Sequence, residues 1–201
     1  MKLRNAALVI AAAVLLLAAC GDDKTPKVLS GLQLSPPPAV GALSLPDASN
    51  GDADFTFKAD PGKYLIVYFG YTQCPDVCPT TLSDIKKALA SAGDDVTANT
   101  QMAMITVDPN RDSGDLLTRY VQSFIDGAHA LRTEDDTQLQ AVAEGFGTFY
   151  SVKTNDKGDI DVVHDGKMFV VDPNGDVVLE WLHGVKSDAI ATDLEILNGK
   201  A

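Results

Sequence analysis

The most apolar strand in the sequence, Tyr64-Leu-Ile-Val-Tyr-Phe69, runs directly into Gly70-Tyr-Thr-Gln-Cys-Pro-Asp-Val-Cys-Pro79, and this junction restricts the fold more than any other stretch. An apolar run that ends in Gly, then a short loop, then an amphipathic segment opened by Pro79 reads as a buried strand, a turn and a helix N-terminus. Leu82, Ile85 and Leu89 recur on one face of that helix, and Gly93 stands near its end. A residue before proline is biased away from the helical region, so Cys74 and Cys78 are both predicted in loop or cap conformations. Sulfurs placed there face unpaired backbone N–H groups and partial positive charge. That setting favours thiolate over thiol and predicts lowered cysteine pKa values.

The spacing of the pair leaves three chemistries open. Three residues intervene between Cys74 and Cys78, a roomier loop than Cys-x-x-Cys. It can close as a plain disulfide, act as a redox couple, or aim two sulfurs at one ion. A structural disulfide over so short a loop restrains the unfolded chain little. The flanking prolines and the polar Thr72, Gln73 and Asp76 argue against a buried, inert thiol pair.

The first residues lead one to expect the chain outside the cytoplasm. Met1-Lys-Leu-Arg-Asn5, the apolar run Ala6 to Ala19 and Leu17-Ala-Ala-Cys20 read as an export signal of residues 1–19, too short for a comfortable transmembrane helix. Leu-Ala-Ala-Cys also resembles a bacterial lipobox, which makes Cys20 the expected lipidated first residue of a protein anchored in the cell envelope. An uncleaved helix or an ordinary secretory signal would give the same compartment. Loss of Lys2 and Arg4 takes the balance from 16 basic and 28 acidic residues to 14 and 28, a net of −14. So acidic a chain is a poor partner for nucleic acid. With Cys20 accounted for, Cys74 and Cys78 are an isolated pair.

Residues 20–46, rich in Lys, Thr, Ser, Gly and Pro and including Pro36-Pro-Pro38, are expected to be a flexible tether. Residues 47–201 suffice for one domain with a proper core. Strands are predicted at Asp54–Lys58, Tyr64–Phe69, Gln101–Val107, Met168–Val171 and Val177–Trp181, the last two joined by a hairpin turn at Asn174-Gly175. Helices are predicted from Pro79 to Ala92, over Leu116 to Phe124, near Glu134 to Phe146, and from Ser187 onward. This order gives an α/β fold, a central mixed sheet with helices on both faces, and the thioredoxin-like arrangement fits it.

Of the three histidines, His164 lies just before the strand Met168–Val171, in a loop that such a sheet would bring up beside the cysteines. A free-standing histidine is commonly solvated or a core hydrogen-bonder, and spacing alone does not make it a ligand. His129 and His183 are read as structural or exposed. Two cysteinates and one imidazole form a soft three-coordinate set that suits Cu(I), and with one more oxygen or nitrogen donor Cu(II). Structural zinc takes four protein ligands, and the fourth is missing. Asp108 to Asp115 and Asp172 to Asp176 fail the calcium-loop pattern and are read as turns.

Gly70 to Pro79, then Val107-Asp-Pro-Asn-Arg-Asp112, then His164 ahead of Phe169-Val-Val-Asp-Pro-Asn-Gly175 closely resemble the Sco/SenC family of copper chaperones, from about Asp54 to the C-terminus. The resemblance implies a membrane-tethered thioredoxin-like domain that binds copper through Cys74, Cys78 and His164. It further implies delivery to the binuclear copper site of the copper-bearing subunit of cytochrome c oxidase, with a periplasmic copper donor or thiol reductant as a further partner. Many members carry Ser or Thr where this chain has Asp165. The alternative is a thiol-disulfide oxidoreductase, with Cys74 and Cys78 as its catalytic redox pair and His164 incidental. Thioredoxin-type oxidoreductases carry a proline in the loop facing the cysteines, whereas Thr154 to Met168 contains none.

Overall fold

The computed structural model describes residues 27–200. The expected signal at 1–19 and the lipidated Cys20 lie outside the described residues. In chain order the first half comprises β1 (Ser44–Asp47), β2 (Ala53–Thr56), β3 (Tyr64–Gly70), α1 (Val77–Ala92), α2 (Asp94–Ala98) and β4 (Thr100–Thr106). The second half comprises α3 (Gly114–Phe124), β5 (His129–Leu131), α4 (Asp136–Gly145), β6 (Tyr150–Thr154), β7 (Ile160–His164), β8 (Met168–Val171), β9 (Val177–Trp181) and α5 (Ser187–Leu197).

Seven strands form one mixed sheet in the order β2-β1-β5-β4-β3-β8-β9, with β3 parallel to β4 and antiparallel to β8. The apolar run of β3 is central, and side chains alternate between two cores. Ile66 and Tyr68 face α1, α3 and α5 with Leu82, Ile85, Val121 and Leu194, while Leu65, Val67 and Phe69 face α4 with Val142 and Phe146. Both faces are therefore covered, which is the thioredoxin-like arrangement expected from the sequence.

Three parts differ from the expectation. The Tyr150–His164 region forms a separate two-stranded sheet of β6 and β7, in which Tyr150 pairs with His164. The pattern of β7 is largely exposed, so it lacks the apolar period that marks a core strand. The three-residue β5 is too short for any period to be read.

The third difference concerns the tether. Residues 27–46, its described part, are fastened to the sheet and do not hang free. Leu32 exchanges both backbone hydrogen bonds with Glu180, Val177 N–H donates to the Pro38 carbonyl, and Val40 is fully buried. The buried carboxylate of Asp193 accepts the N–H groups of Ser30 and Gly31 at 2.7 and 3.0 Å and the Trp181 indole N–H at 2.7 Å. Gly31 packs so close to Leu179 that a side chain would collide with it. A composition typical of linkers is here satisfied by backbone pairing to β9, which composition alone does not register.

Candidate metal centre

β3 delivers the chain to the site through Gly70, which is required there. A Cβ at this position would stand 2.8 Å from the Tyr68 ring and 3.1 Å from Cys78 Sγ. The following loop turns back on itself, and α1 starts at Val77, two residues earlier than Pro79 suggests. Cys78 is thus inside the first helical turn and not in a loop. Pro79 still costs no hydrogen bond, because first-turn N–H groups have no intrahelical partner. Asp76 makes no side-chain cap, and the Cys78 N–H is instead accepted by Cys74 Sγ at 3.2 Å.

Cys78 is completely buried, in the core with Leu82 and Met104, and Cys74 is 8% exposed. Burial pushes the Cys78 thiol up to about 12, opposite to the lowering expected from a helix start. Desolvation of a thiolate among apolar side chains outweighs the favourable N–H groups. The buried Tyr68 hydroxyl lies near this sulfur and has no hydrogen-bond partner of good geometry among the described residues. Both cysteines are free thiols.

The Cys loop is held by Asp112, at the end of a segment read from sequence only as a turn. Its buried carboxylate accepts the Thr72 N–H at 2.9 Å, the Thr72 hydroxyl at 2.5 Å and the Thr106 hydroxyl at 2.6 Å. Arg132 fixes that turn in its place by donating to the carbonyls of Asp112 and Pro109. The signal that could have revealed this role is the spacing of an acid after a strand-ending Thr106, since a buried Asp needs donors of this kind.

His164 ends β7 and comes over the loop from the opposite side. Its ring stands edge-on to Tyr68 and Tyr71, with centroids 6.2 and 6.1 Å away. Gly166 N–H donates to Nδ1 at 3.2 Å, and Nε2 faces Cys78 Sγ at 3.9 Å. Burial lowers the His164 pKa, so the ring is neutral around pH 7. Asp165, the departure from the usual Ser or Thr, accepts the Thr148 hydroxyl at 2.7 Å and the Lys167 N–H at 3.2 Å.

The structure brings Cys74, Cys78 and His164 together, with one donor atom from each within 4.8 Å of the other two. Two donors at bonds of about 2.0–2.3 Å and trigonal angles around one ion stand roughly 3.5–4 Å apart. The Cys78 to His164 separation already meets that requirement. The donor set is soft, which fits copper better than a hard cation. His129 is elsewhere, with its Nδ1 2.7 Å from the buried Asp47 carboxylate, and is structural as expected. His183 is exposed and lines the same cleft as Cys74 and His164, a neighbourhood the sequence did not disclose.

A family model described as SCO1/SenC matches residues 48–198. A putative copper-binding protein of Stutzerimonas stutzeri is 33% identical over 137 residues, covering 68% of this chain and 66% of the relative. A SCO2-like protein of Rickettsia prowazekii is 31% identical over 116 residues, covering 57% and 56%. The matches thus span between about half and two thirds of these relatives' length. Among solved structures, apo Sco1 of Thermus thermophilus superposes with a TM-score of 0.73 at 28% identity, covering 86% of this chain and 99% of that one. Copper-bound ScoI of Bradyrhizobium japonicum superposes with a TM-score of 0.63 at 27% identity, covering 77% and 96%.

Proposed function

The chain belongs to the SCO1/SenC family, and from that premise we propose that it is a metallochaperone that binds one copper through Cys74, Cys78 and His164 and delivers it to the copper-bearing subunit of cytochrome c oxidase. The observation that carries this reading is the convergence of those three donor atoms within 4.8 Å from two separate parts of the chain. A relative named a putative copper-binding protein, and the copper-bound ScoI structure, support copper as the cargo. Two thiolates and a neutral imidazole satisfy Cu(I), while Cu(II) takes an additional oxygen or nitrogen donor. Copper substitutes for the protons of both thiols, so the burial that disfavours a bare Cys78 thiolate is no obstacle to a metal-bound one.

A second reading, reduction of the oxidase's own copper-ligand cysteines, is favoured by the close approach of Cys78 N–H to Cys74 Sγ. In that reaction the two thiols give up two electrons and two protons to the target disulfide and become a disulfide themselves. The burial that keeps Cys78 protonated makes it slow in this chemistry, because exchange proceeds through thiolates.

His164→Ala in the full chain separates the two. Copper retention falls markedly and oxidase activity in cells is lost, while exchange between the Cys74–Cys78 couple and small thiols persists. Full oxidase assembly by a variant that no longer binds copper would overturn the chaperone reading. We further propose that the protein is lipid-anchored through Cys20 with its domain outside the cytoplasm, motivated by Leu17-Ala-Ala-Cys20. Mass spectrometry of membrane extracts then finds diacylglycerol on a peptide beginning at Cys20. An intact peptide across residues 15 to 25 as the main species contradicts the anchor.

A further inference from the structure

Neither sulfur of the candidate centre is well presented to solution, since Cys78 is fully buried and Cys74 is only 8% exposed. A cleft of about 370 Å³ reaches Cys74, lined also by Tyr71, Val163, His164, Gly166 and His183 among others. Of its nitrogen and sulfur donors, His183 is the exposed one. It sits on the loop between β9 and α5, with its ring along Gly166. A methyl group on the Gly166 Cα would come within 3.4 Å of His183 Cβ and 3.5 Å of its Nδ1. Gly166 in turn donates its N–H to His164. One glycine, at φ +68° where side chains are disfavoured, therefore separates the two imidazoles.

His183 is not among the three residues whose donor atoms lie within 4.8 Å of one another. It stands outside the resident set, at the mouth. We propose that His183 is a copper-binding residue on the path into and out of the site, which takes incoming Cu(I) and passes it inward to Cys74 by ligand exchange. The inference rests on the copper-binding reading above. In the exchange a copper–sulfur bond to Cys74 forms as the copper–nitrogen bond to His183 breaks. The Cys74 proton leaves to solvent, and copper keeps its oxidation state throughout. Imidazole suits this task, since a ring nitrogen is a common copper donor.

The test compares the full chain in detergent with His183→Gln and with Leu182→Ala, an exposed neighbour that alters the mouth without removing a nitrogen. Cu(I) is offered anaerobically as a chelator complex, and loading, release to excess chelator and final copper per chain are measured. His183→Gln is expected to load and release severalfold more slowly, by the same factor in both directions, with copper per chain and affinity unchanged. Leu182→Ala is expected to match the parent. Unchanged rates in His183→Gln overturn the relay and leave the copper reading standing. So does an equal slowing by Leu182→Ala, which would assign the effect to the shape of the mouth. A changed affinity with unchanged loading would make His183 a support of the resident site and equally overturn the relay. A parent chain that binds no copper removes the copper reading itself, and the relay with it.

Discussion

Cys78 is reached through the centre of the seven-stranded sheet, whereas His164 is reached through a two-stranded hairpin outside it. The sulfur side is built like a core: Gly70 has no room for a methyl group, Cys78 is fully buried, and Asp112 ties the intervening loop to the end of β4 with two hydrogen bonds from Thr72 and one from Thr106. The imidazole side has Val163 55% exposed beside His164, and an isolated hairpin of this size is marginal in water without support from its neighbours. One half of the centre is therefore fixed by the global fold, and the other is held by a few local contacts. On the proposed delivery role that division is an advantage, because the histidine side can yield while the sulfurs keep their geometry.

Asp112→Ala strikes the rigid side hardest. It leaves the Thr72 N–H and the hydroxyls of Thr72 and Thr106 without their acceptor in a buried place, at a cost of about 3 kcal/mol. Denaturant unfolding should register that loss, together with weaker copper binding from a loosened Cys loop. Equal stability in the variant would show that the sulfur side is not held as described. Asp112→Asn retains one acceptor oxygen and is expected to fall between the two.

The same division governs how much could be read from the sequence. The run Tyr64 to Phe69, the helix face of Leu82, Ile85 and Leu89, and the Asn174-Gly175 turn are local signals, each with its own periodicity or turn chemistry, and the layered fold follows from them. Cys74 and Cys78 stand on that frame, so their meeting place could be read as well. The hairpin of β6 and β7 carries no such period, because its side chains face solvent on most positions. His164 gained its role only through the resemblance of the surrounding motifs, not from spacing. Asp112, Tyr68 and His183 went unrecognised for a different reason: Asp112 reaches Thr72 across 40 residues of chain, and the surroundings of Tyr68 and His183 exist only once the sheet has assembled. The raised Cys78 pKa is of the same kind, since the helix start is a local feature and the burial that overrides it is not.

Lowering the pH separates the two sides by their protons. The Cys78 thiol, with a pKa of about 12, is protonated throughout the neutral range, so copper must displace its proton. Copper affinity is then expected to fall about tenfold per unit of pH for that proton, equivalent to about 1.4 kcal/mol. His164, with its pKa held below the usual value by burial, is already neutral and adds no dependence until the pH drops below that lowered value. Competition titrations with a Cu(I) chelator above pH 7 measure the slope. In His164→Ala the slope over this range should be unchanged while affinity is lower, and a flatter slope in that variant would show that the ring and not the thiol carries the proton.

The smallest of these effects loosens the hairpin without touching a donor atom. The Tyr150 hydroxyl, at the start of β6, donates to Asp136 in the first turn of α4 at 2.6 Å. Tyr150 pairs directly with His164 across the hairpin, so this bond steadies the strand that carries the imidazole. Tyr150→Phe keeps the ring in its largely buried place and removes only the hydroxyl, a cost of about 1 kcal/mol because Asp136 is exposed and water can replace the donor. Amide hydrogen exchange is expected to quicken in β6 and β7 and to stay unchanged in β3 and β4. Copper binding should weaken slightly, and by less than in His164→Ala. If exchange quickens equally in β3, the hairpin and the sheet open as one unit, and the contrast between a fixed sulfur side and a yielding histidine side does not hold.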